Sequence, residues 1–382
     1  MANARHDLSA GGSPRHSGDV VVYRECTSDR AAHDHATCRE IARKLAAIKG
    51  YRYAGDYDNR ASYPRALYFV PTDTLIGVEQ ARALGIAGER DLFGGIVPHP
   101  FVATKSISHP LIDDDAFAPD GWSEAFARQV HASVLHGFSA FSVDDAMRAA
   151  MRLFAHGPVR VKQALGIGGH GQAVATDLQA LERALAEADP DEVLRYGISL
   201  EQDLVDVTTY SVGQVCVDDL VASYCGTQRL TANNAGKQVY GGSDLLVVRG
   251  DFDALLALNP GAAVRRAVEQ ARRYDSAAFE CFAGLVASRR NYDVAQGTDA
   301  RGRARSGVLE QSWRVGGASG AEVAALAAFR ADPVLAAVRA SSTEVYGTNA
   351  SPPPHANIYF QGDDERAGPL TKYSLIEPYG HA

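Results

Sequence analysis

Apolar residues form short β-branched runs and helical repeats in alternation over the first hundred residues. Asp19-Val-Val-Val-Tyr23 is a β-branched run, and apolar side chains then recur at helical spacing from Ala32 to Gly50. Ala66-Leu-Tyr-Phe-Val70 is the next apolar run, and a second helical pattern extends from Thr74 to Leu84. The order strand, helix, strand, helix is typical of an α/β lobe with a parallel sheet. We therefore predict such a lobe at residues 19–112.

The rest of the chain continues the alternation after a proline-rich and acidic stretch that ends near Asp120. We predict helices at 146–154, 177–188, 252–258, 261–273 and 320–330, and strands at 159–163, 171–175, 197–201, 208–217, 244–249 and 307–311. The tail from Ser351 onward is expected to be rich in loops. These patterns predict two further lobes, at 113–204 and 205–382, and a disordered leader at 1–18.

Composition and charge exclude several classes of protein. A chain of 382 residues with 46% hydrophobic residues can bury a full core, and no apolar run approaches the roughly 20 residues of a membrane-spanning helix. A net charge of −8 with scattered Lys and Arg argues against a nucleic-acid partner. The five cysteines lie far apart without a CxxC motif, which indicates free thiols. We expect a cytoplasmic protein that acts on small molecules, without a membrane partner, and a homodimer is left open.

A lysine and a glycine-rich loop form the most informative segment. In Gly157-Pro-Val-Arg-Val-Lys-Gln-Ala-Leu-Gly-Ile-Gly-Gly-His-Gly-Gln172, Lys162 ends a predicted buried strand and the glycines follow it. Such a loop lets backbone N–H groups approach phosphate oxygens while an ammonium group neutralises them. The loop leads into another strand-like run, so a hairpin lid over a nucleotide fits better than a P-loop or a Rossmann turn. An ordinary hairpin turn is the alternative for the glycines alone.

Two carboxylates lie on strand-like runs in the last third of the chain. Arg290-Asn-Tyr-Asp-Val294 carries Asp293, and Gly307-Val-Leu-Glu-Gln-Ser-Trp-Arg314 carries Glu310. Adjacent antiparallel strands can bring two carboxylates together, where they offer hard oxygen ligands to Mg²⁺ beside substrate phosphates. A surface hairpin with solvated charges is the alternative interpretation.

The order of these segments resembles the ATP-grasp superfamily, whose members join a carboxylic acid to an amine or a thiol through an acyl phosphate. The likeness covers roughly residues 98–330. It implies an α/β ATP-grasp fold with α+β lobes, in which an N-terminal pre-ATP-grasp lobe precedes two lobes that clasp the nucleotide. The whole chain also resembles an uncharacterised bacterial family within this group, which implies no particular substrate.

The resemblance implies roles for individual residues on the nucleotide side. Lys162 matches the catalytic lysine that contacts nucleotide phosphates, and Lys105 resembles an earlier ATP-contacting lysine, on a strand that closes the first lobe. Glu201 and the main chain through Leu204 resemble the hinge that holds adenine and ribose, for which an ordinary strand end is the alternative. The implied lid residues are Gly168, Gly169, Gly171 and Gln172.

The segment Leu309-Glu-Gln-Ser-Trp-Arg314 resembles the metal-binding strand of the same family. The likeness implies Asp293 and Glu310 as Mg²⁺ ligands and Arg314 as a catalytic arginine. Ser312 departs from the family pattern, because an asparagine ligand usually stands there and a serine hydroxyl ligates Mg²⁺ only weakly. Asn291 is near enough in sequence to be considered as a substitute.

These features predict an ADP-forming ligase that uses ATP and Mg²⁺ to join a small carboxylic acid to an amine, or to a thiol. Two other hypotheses stay open. One is an ATP-dependent phosphotransferase that releases a phosphorylated product. The other is a catalytically degenerate nucleotide-binding scaffold, which the serine at position 312 motivates.

Overall fold

Residues 17–24, 31–166 and 171–379 are described by the structure, which is a computed structural model. The predicted leader lies outside these ranges except for its last two residues, and so do Gly168 and Gly169 of the predicted lid. Within the described ranges, four β-sheets are flanked by helices, and no helix is both long and apolar enough to cross a membrane. The four cysteines in these ranges are free thiols, as predicted.

The strands and helices have the following bounds. The strands are β1 Gly18–Tyr23, β2 Arg52–Asp56, β3 Ala66–Pro71, β4 Leu75–Ile76, β5 Gly95–Val97, β6 Gly137–Ala140, β7 Val159–Gln163, β8 Gln172–Ala175, β9 Ile198–Gln202, β10 Val205–Val217, β11 Leu220–Ala232, β12 Gln238–Arg249, β13 Val286–Ala287, β14 Arg289–Thr298, β15 Ala304–Ser312, β16 Ala337–Tyr346, β17 Asn357–Asp364 and β18 Gly368–Pro378. The α-helices are α1 Ala32–Lys49, α2 Val78–Ala83, α3 Glu124–Val130, α4 Val143–Leu153, α5 Leu178–Ala186, α6 Pro190–Tyr196, α7 Phe252–Ala257, α8 Ala262–Cys281 and α9 Ser319–Ala331. Short 3-10 helices are Glu89–Asp91, Pro100–Ala103, Lys105–Ile107, His131–Ser133 and Phe154–His156.

The N-terminal part of the chain contains a parallel three-stranded sheet in the order β2-β1-β3, which confirms the predicted parallel arrangement. The α1 helix packs against the core beside this sheet through a buried apolar stripe that includes Ile41 and Leu45. The helix predicted from Thr74 begins later than expected. Its first residues form β4, which pairs with β5, and α2 starts only after Gly77, whose φ of +96° interrupts the helical pattern.

A four-stranded antiparallel sheet in the middle of the chain, β6-β9-β7-β8, has two chemically different faces. On one face, Phe138, Val161 and Leu200 belong to an apolar core shared with α4 and α5. Because side chains alternate along a strand, the opposite face carries Lys162 and Glu201. We call this second surface the polar face of the central sheet.

The largest sheet has eight antiparallel strands in the order β15-β14-β10-β11-β12-β16-β18-β17. The α9 and α8 helices contribute to two separate cores on its opposite faces. The prediction of a loop-rich tail after Ser351 is wrong, because this segment forms β17 and β18. The proline-rich part of the tail precedes β17, which begins at Asn357. Tyr359 in β17 and Leu370 in β18 are buried.

A buried ion pair joins the large sheet to α9. Arg289 at the start of β14 donates from Nε and Nη2 to the two carboxylate oxygens of Glu322, at 3.0 and 2.7 Å. Nη1 donates to the carbonyl oxygens of Ser312 and Arg314, at 3.0 and 2.6 Å, and Tyr224 donates its hydroxyl to Glu322 at 2.5 Å. Extensive hydrogen bonding offsets the cost of burying both charges, so the end of β15 is fixed against α9.

We expect Glu322→Ala to lower the free energy of unfolding by about 3–5 kcal/mol, because it leaves the Arg289 guanidinium buried without a counter-charge. Urea denaturation followed by circular dichroism measures the change. Glu182→Ala, at an exposed position of α5, is the control and should change the free energy by less than about 0.5 kcal/mol. Equal effects of the two substitutions would contradict the anchoring role of the ion pair.

Candidate active site

A hairpin at the edge of the central sheet carries the predicted lid. β7 and β8 pair antiparallel, with Lys162 opposite Gln172, and the N–H of Gln163 donates to the carbonyl of Gly171 at 2.8 Å. Gly171 has a φ of +69°, a left-handed conformation that glycine adopts without steric cost. The predicted hairpin geometry is confirmed: Gln172 is the first residue of β8, and Gly171 directly precedes it.

Lys162 and Glu201 form a buried ion pair on the polar face of the central sheet. Lys162 Nζ contacts Glu201 Oε1, and His109 Nε2 lies 3.3 Å from Glu201 Oε2. All three side chains are at most 3% exposed. The sequence pointed to Lys162 and Glu201 separately but not to their contact, and it did not single out His109.

Glu201 is ionised at neutral pH because of its two partners. Burial alone would raise the pKa of its carboxyl, but the Lys162 ammonium and the His109 imidazole outweigh burial and lower that pKa from 4.5 to about 2. The carboxylate therefore fixes the position of the Lys162 ammonium by charge as well as by contact.

Lys105 lies in a 3-10 helix, so its predicted position on a strand is wrong. Pro100 begins the 3-10 helix Pro100–Ala103, and Lys105 begins the next one, Lys105–Ile107. Thr104 lies between them, and its hydroxyl oxygen accepts from the N–H of Ser106 at 3.2 Å, which caps the second helix. Proline and this cap favour two tight turns over an extended chain.

Lys105 connects the lid to the large sheet. Its Nζ lies 2.9 Å from Glu310 Oε2 and donates to the carbonyl of Gly166 at 2.9 Å. The lysine side chain is buried, whereas Glu310 is 37% exposed. The ion pair therefore brings a cation from the first part of the chain to the carboxylate predicted on β15.

Gln311 fixes the segment that precedes Lys105, and the sequence analysis missed it. Its Nε2 donates to the carbonyl oxygens of Val102 and Thr104, at 3.0 and 2.6 Å. Its Oε1 accepts from the hydroxyl of Tyr274 at 3.0 Å. In the sequence, Gln311 is simply a long amide side chain next to Glu310 on a predicted strand. Such a residue is equally compatible with a position exposed to solvent.

Asp293 and Glu310 lie directly opposite each other on β14 and β15, as predicted. Gln228 Nε2 donates to Asp293 Oδ1 at 2.7 Å. Burial and the neighbouring Glu310 charge raise the pKa of Asp293 well above its usual value. Burial also opposes ionisation of Glu310, but the Lys105 ammonium outweighs it and holds the pKa of Glu310 below its usual value.

The donor set of this carboxylate pair fits Mg²⁺. The two facing carboxyl groups offer the oxygen ligands that a hard divalent cation prefers, and such a cation would offset the repulsion between them. The described residues contain no cluster of three or more His, Cys, Asp or Glu side chains arranged for a metal. Mg²⁺ needs no such cage, since it is commonly held by one or two carboxylates together with substrate phosphates and water.

Ser312 and Asn291 lie opposite each other, two register pairs along from the carboxylates. Arg289 Nη1 donates to Ser312 Oγ at 3.1 Å. Asn291 Nδ2 donates to Ser211 Oγ at 2.7 Å and to the hydroxyl of Tyr224 at 3.2 Å. Asn291, the residue considered as a substitute for the missing asparagine, is therefore held near Asp293 and Glu310 by hydrogen bonds from its amide nitrogen.

Arg314 follows β15 and lies within electrostatic range of the carboxylates. Its Nη1 donates to the carbonyl of Val315 at 3.0 Å, and its charge contributes to the lowered pKa of Glu310. Leu204, the last predicted hinge residue, is buried in a small apolar cluster with Leu135 and Ala295.

We expect the stability difference between the wild type and Glu201→Gln to depend on pH. Because the pKa of Glu201 in the folded protein is about 2, below its ordinary 4.5, the ionised carboxylate stabilises the fold fully above pH 4.5. This contribution is lost as the pH falls from 4.5 to 2. Urea unfolding at about pH 7 and about pH 3 measures both free energies. A difference that is as large at the lower pH would contradict the ion pair.

Comparison with solved structures confirms the fold. The chain is similar to carboxyaminoimidazole ribonucleotide synthase from Aspergillus clavatus complexed with ATP, with a TM-score of 0.52 and 13% identity, over 95% of this chain and 94% of that chain. It is also similar to biotin carboxylase from Campylobacter jejuni in a beta-gamma-ATP complex, with a TM-score of 0.50 and 10% identity, over 94% of this chain and 87% of that chain. The predicted ATP-grasp fold is therefore confirmed.

Sequence comparison gives the family but no curated relative. No curated protein matches this chain. A family model described as "Protein of unknown function (DUF3182)" matches residues 21–374. The match covers most of the chain, and the protein, which has an ATP-grasp fold, belongs to this DUF3182 family.

Proposed function

We propose that this protein is an ATP- and Mg²⁺-dependent carboxylate–amine ligase that acts through an acyl phosphate. One observation carries the proposal: Lys105, Lys162 and the opposed carboxylates Asp293 and Glu310 come from distant parts of the chain and meet around one site. Lys105 pairs directly with Glu310 at 2.9 Å, and the charge of Lys162 also lowers the pKa of Glu310. Such a grouping of cations and carboxylates suits a triphosphate with its metal.

The nucleotide side of the proposal assigns the two lysines to the phosphates. Lys162, held by Glu201, would neutralise phosphate charge from the central sheet, and Lys105 would do so from the opposite side. The glycine lid, with Gly168, Gly169, Gly171 and Gln172, would supply backbone N–H donors. The hinge from Glu201 to Leu204 would contact the nucleoside, the carboxylate acting chiefly by positioning Lys162.

Asp293 and Glu310 are the proposed ligands of Mg²⁺. When bound, the metal would supply positive charge to the phosphate oxygens and orient the terminal phosphoryl group. Gln228 orients Asp293 through its 2.7 Å hydrogen bond. Arg314, whose charge acts on Glu310, would stabilise negative charge on the phosphoryl group during transfer.

The proposed reaction has two balanced steps. First, a carboxylate oxygen of the acid bonds to the γ-phosphorus, the bond from that phosphorus to the β–γ bridging oxygen breaks, and ADP leaves. Second, the amine nitrogen bonds to the acyl carbon, the carbon–oxygen bond to phosphate breaks, and phosphate leaves as the amine loses a proton. Catalysis by this chain would come from positioning and from fixed charges.

The similar solved structures support the nucleotide in this proposal. The Aspergillus clavatus synthase is complexed with ATP, and the Campylobacter jejuni carboxylase is in a beta-gamma-ATP complex. These two proteins share the fold of this chain, and the ligase reaction is inferred from the lysines and carboxylates of its own site.

ATP with Mg²⁺ should raise the midpoint of thermal unfolding of the wild type. A ligand bound only by the folded state adds about 2.7 kcal/mol at a hundredfold excess over its Kd. Lys105→Met and Lys162→Met should each lose most of the shift, because each removes a phosphate-binding charge. Lys237→Met, an exposed lysine between β11 and β12, should retain it. Scanning fluorimetry with and without EDTA measures the shifts, and an unchanged wild-type midpoint at millimolar ATP would reject nucleotide binding.

Phosphate release from ATP should require an acid and an amine together. Screening pools of small acids and amines for free phosphate identifies the pair, and Glu310→Gln should slow release by about a hundredfold or more through loss of a metal ligand. Glu182→Gln on α5 should leave the rate unchanged. A phosphorylated acid without free phosphate would indicate a phosphotransferase, and nucleotide binding without turnover in any pool would indicate a scaffold.

A further inference from the structure

Arg160 occupies the polar face of the central sheet between Lys162 and the hinge. It lies two residues before Lys162 on β7, so the two side chains share one face, with backbones about 7 Å apart. Arg160 stands opposite Glu201 on β9 and opposite Val174 on β8. It therefore lies beside the proposed phosphate-binding lysine, towards the end where the chain passes into the large sheet.

The edge of the Arg160 guanidinium is bound by two side chains. Nε and Nη2 donate to Asp203 Oδ1 at 2.9 and 2.6 Å, and Nη1 donates to Gln172 Oε1 at 3.4 Å. These hydrogen bonds lie in the plane of the group and fix its orientation. A guanidinium bound at its edge still offers its flat faces, which stack on aromatic rings. The side chain is 33% exposed, so a ligand can approach it.

The charge of Arg160 is less suited to a phosphate than that of Lys162. Asp203 already neutralises it through two donors of the guanidinium. Leu204, the next residue after Asp203, lies in the apolar cluster with Leu135 and Ala295, against which Leu309 packs. A guanidinium whose charge is already paired with Asp203 favours a flat heteroaromatic ring over an anion.

We propose that Arg160, held by Asp203 and Gln172, is the stacking platform for the purine base of the nucleotide. The inference rests on the proposed function, since it requires a nucleotide whose phosphates lie at Lys162. It adds a specificity-determining residue: the platform binds the ring face, so large purine rings gain more from it than pyrimidines do. The Asp203 carboxylate is a positioning residue, which keeps the guanidinium plane in place.

Isothermal titration calorimetry with Mg²⁺-ATP, Mg²⁺-CTP and Mg²⁺-tripolyphosphate tests this proposal. Arg160→Ala should weaken ATP binding roughly tenfold, weaken CTP binding less, and leave tripolyphosphate binding unchanged. Arg183→Ala, an exposed arginine on α5 in the same part of the chain, should leave all three affinities unchanged. Arg160→Gln, whose amide can still donate to Asp203, replaces the alanine variant if thermal unfolding shows that the latter does not fold.

The outcomes separate this inference from the proposed function. Equal weakening of ATP and tripolyphosphate would show that Arg160 acts on phosphate charge, and unchanged ATP affinity would show that it contacts no base; either result overturns the platform and leaves nucleotide binding intact. If wild-type protein binds neither ATP nor tripolyphosphate, the proposed function fails and the platform fails with it.

Discussion

Two carboxyl groups face each other where β14 meets β15, and much of the surrounding structure serves to keep them there. Asp293 and Glu310 are register partners, and the register shifts immediately after Asp293. A shift of this kind changes the direction of side chains and is common beside functional sites. The Arg289–Glu322 ion pair fixes the start of β14 and the end of β15 against α9. Repulsion between the carboxylates therefore acts on strands that cannot easily separate.

Lys105 supplies the charge that this pair requires from a segment some two hundred residues earlier in the chain. Two neighbouring residues on β15 hold this segment in place. Glu310 pairs with the Lys105 ammonium, and Gln311 donates hydrogen bonds to the backbone carbonyls of Val102 and Thr104. The carbonyl of Gly166 completes the arrangement. The same buried lysine thus links Gly166, at the beginning of the lid, to Glu310 on the large sheet.

The sequence predicted the elements whose patterns are local. The parallel order of the first sheet, the hairpin between Lys162 and Gln172, and the pairing of Asp293 with Glu310 follow from alternation and turn residues, and all are confirmed. The 3-10 conformation at Lys105 was missed because an apolar run between prolines also fits a strand. β17 and β18 were missed because the prolines before them dominated the composition of the tail.

Contacts between distant segments had no local signal. Glu201 and Lys162 were each nominated, but their ion pair depends on the register of β7 and β9, in which Lys162 lies opposite Ser199 and Arg160 opposite Glu201. His109 contributes from a third segment, and its partner lies 92 residues away. Gln311 was equally hidden, because a glutamine on a strand is usually solvated. Burial supplies the missing information, and burial is a property of the assembled sheets.

Glu310 gives the proposed mechanism a coupling between metal and nucleotide. Its carboxylate pairs with Lys105 in the structure, yet the same oxygens are the proposed ligands of Mg²⁺. A cation held by Glu310 would weaken the attraction of this carboxylate for Lys105, and the ammonium would then be available to phosphate oxygens. Each ligand would thereby favour the other, with the same coupling free energy in both directions. Lys162 would lack this exchange, because its buried partner Glu201 is not one of the proposed metal ligands. The two lysines, alike in charge, would therefore differ in role: Lys162 would be a fixed cation, and Lys105 would be a cation whose partner also holds the metal.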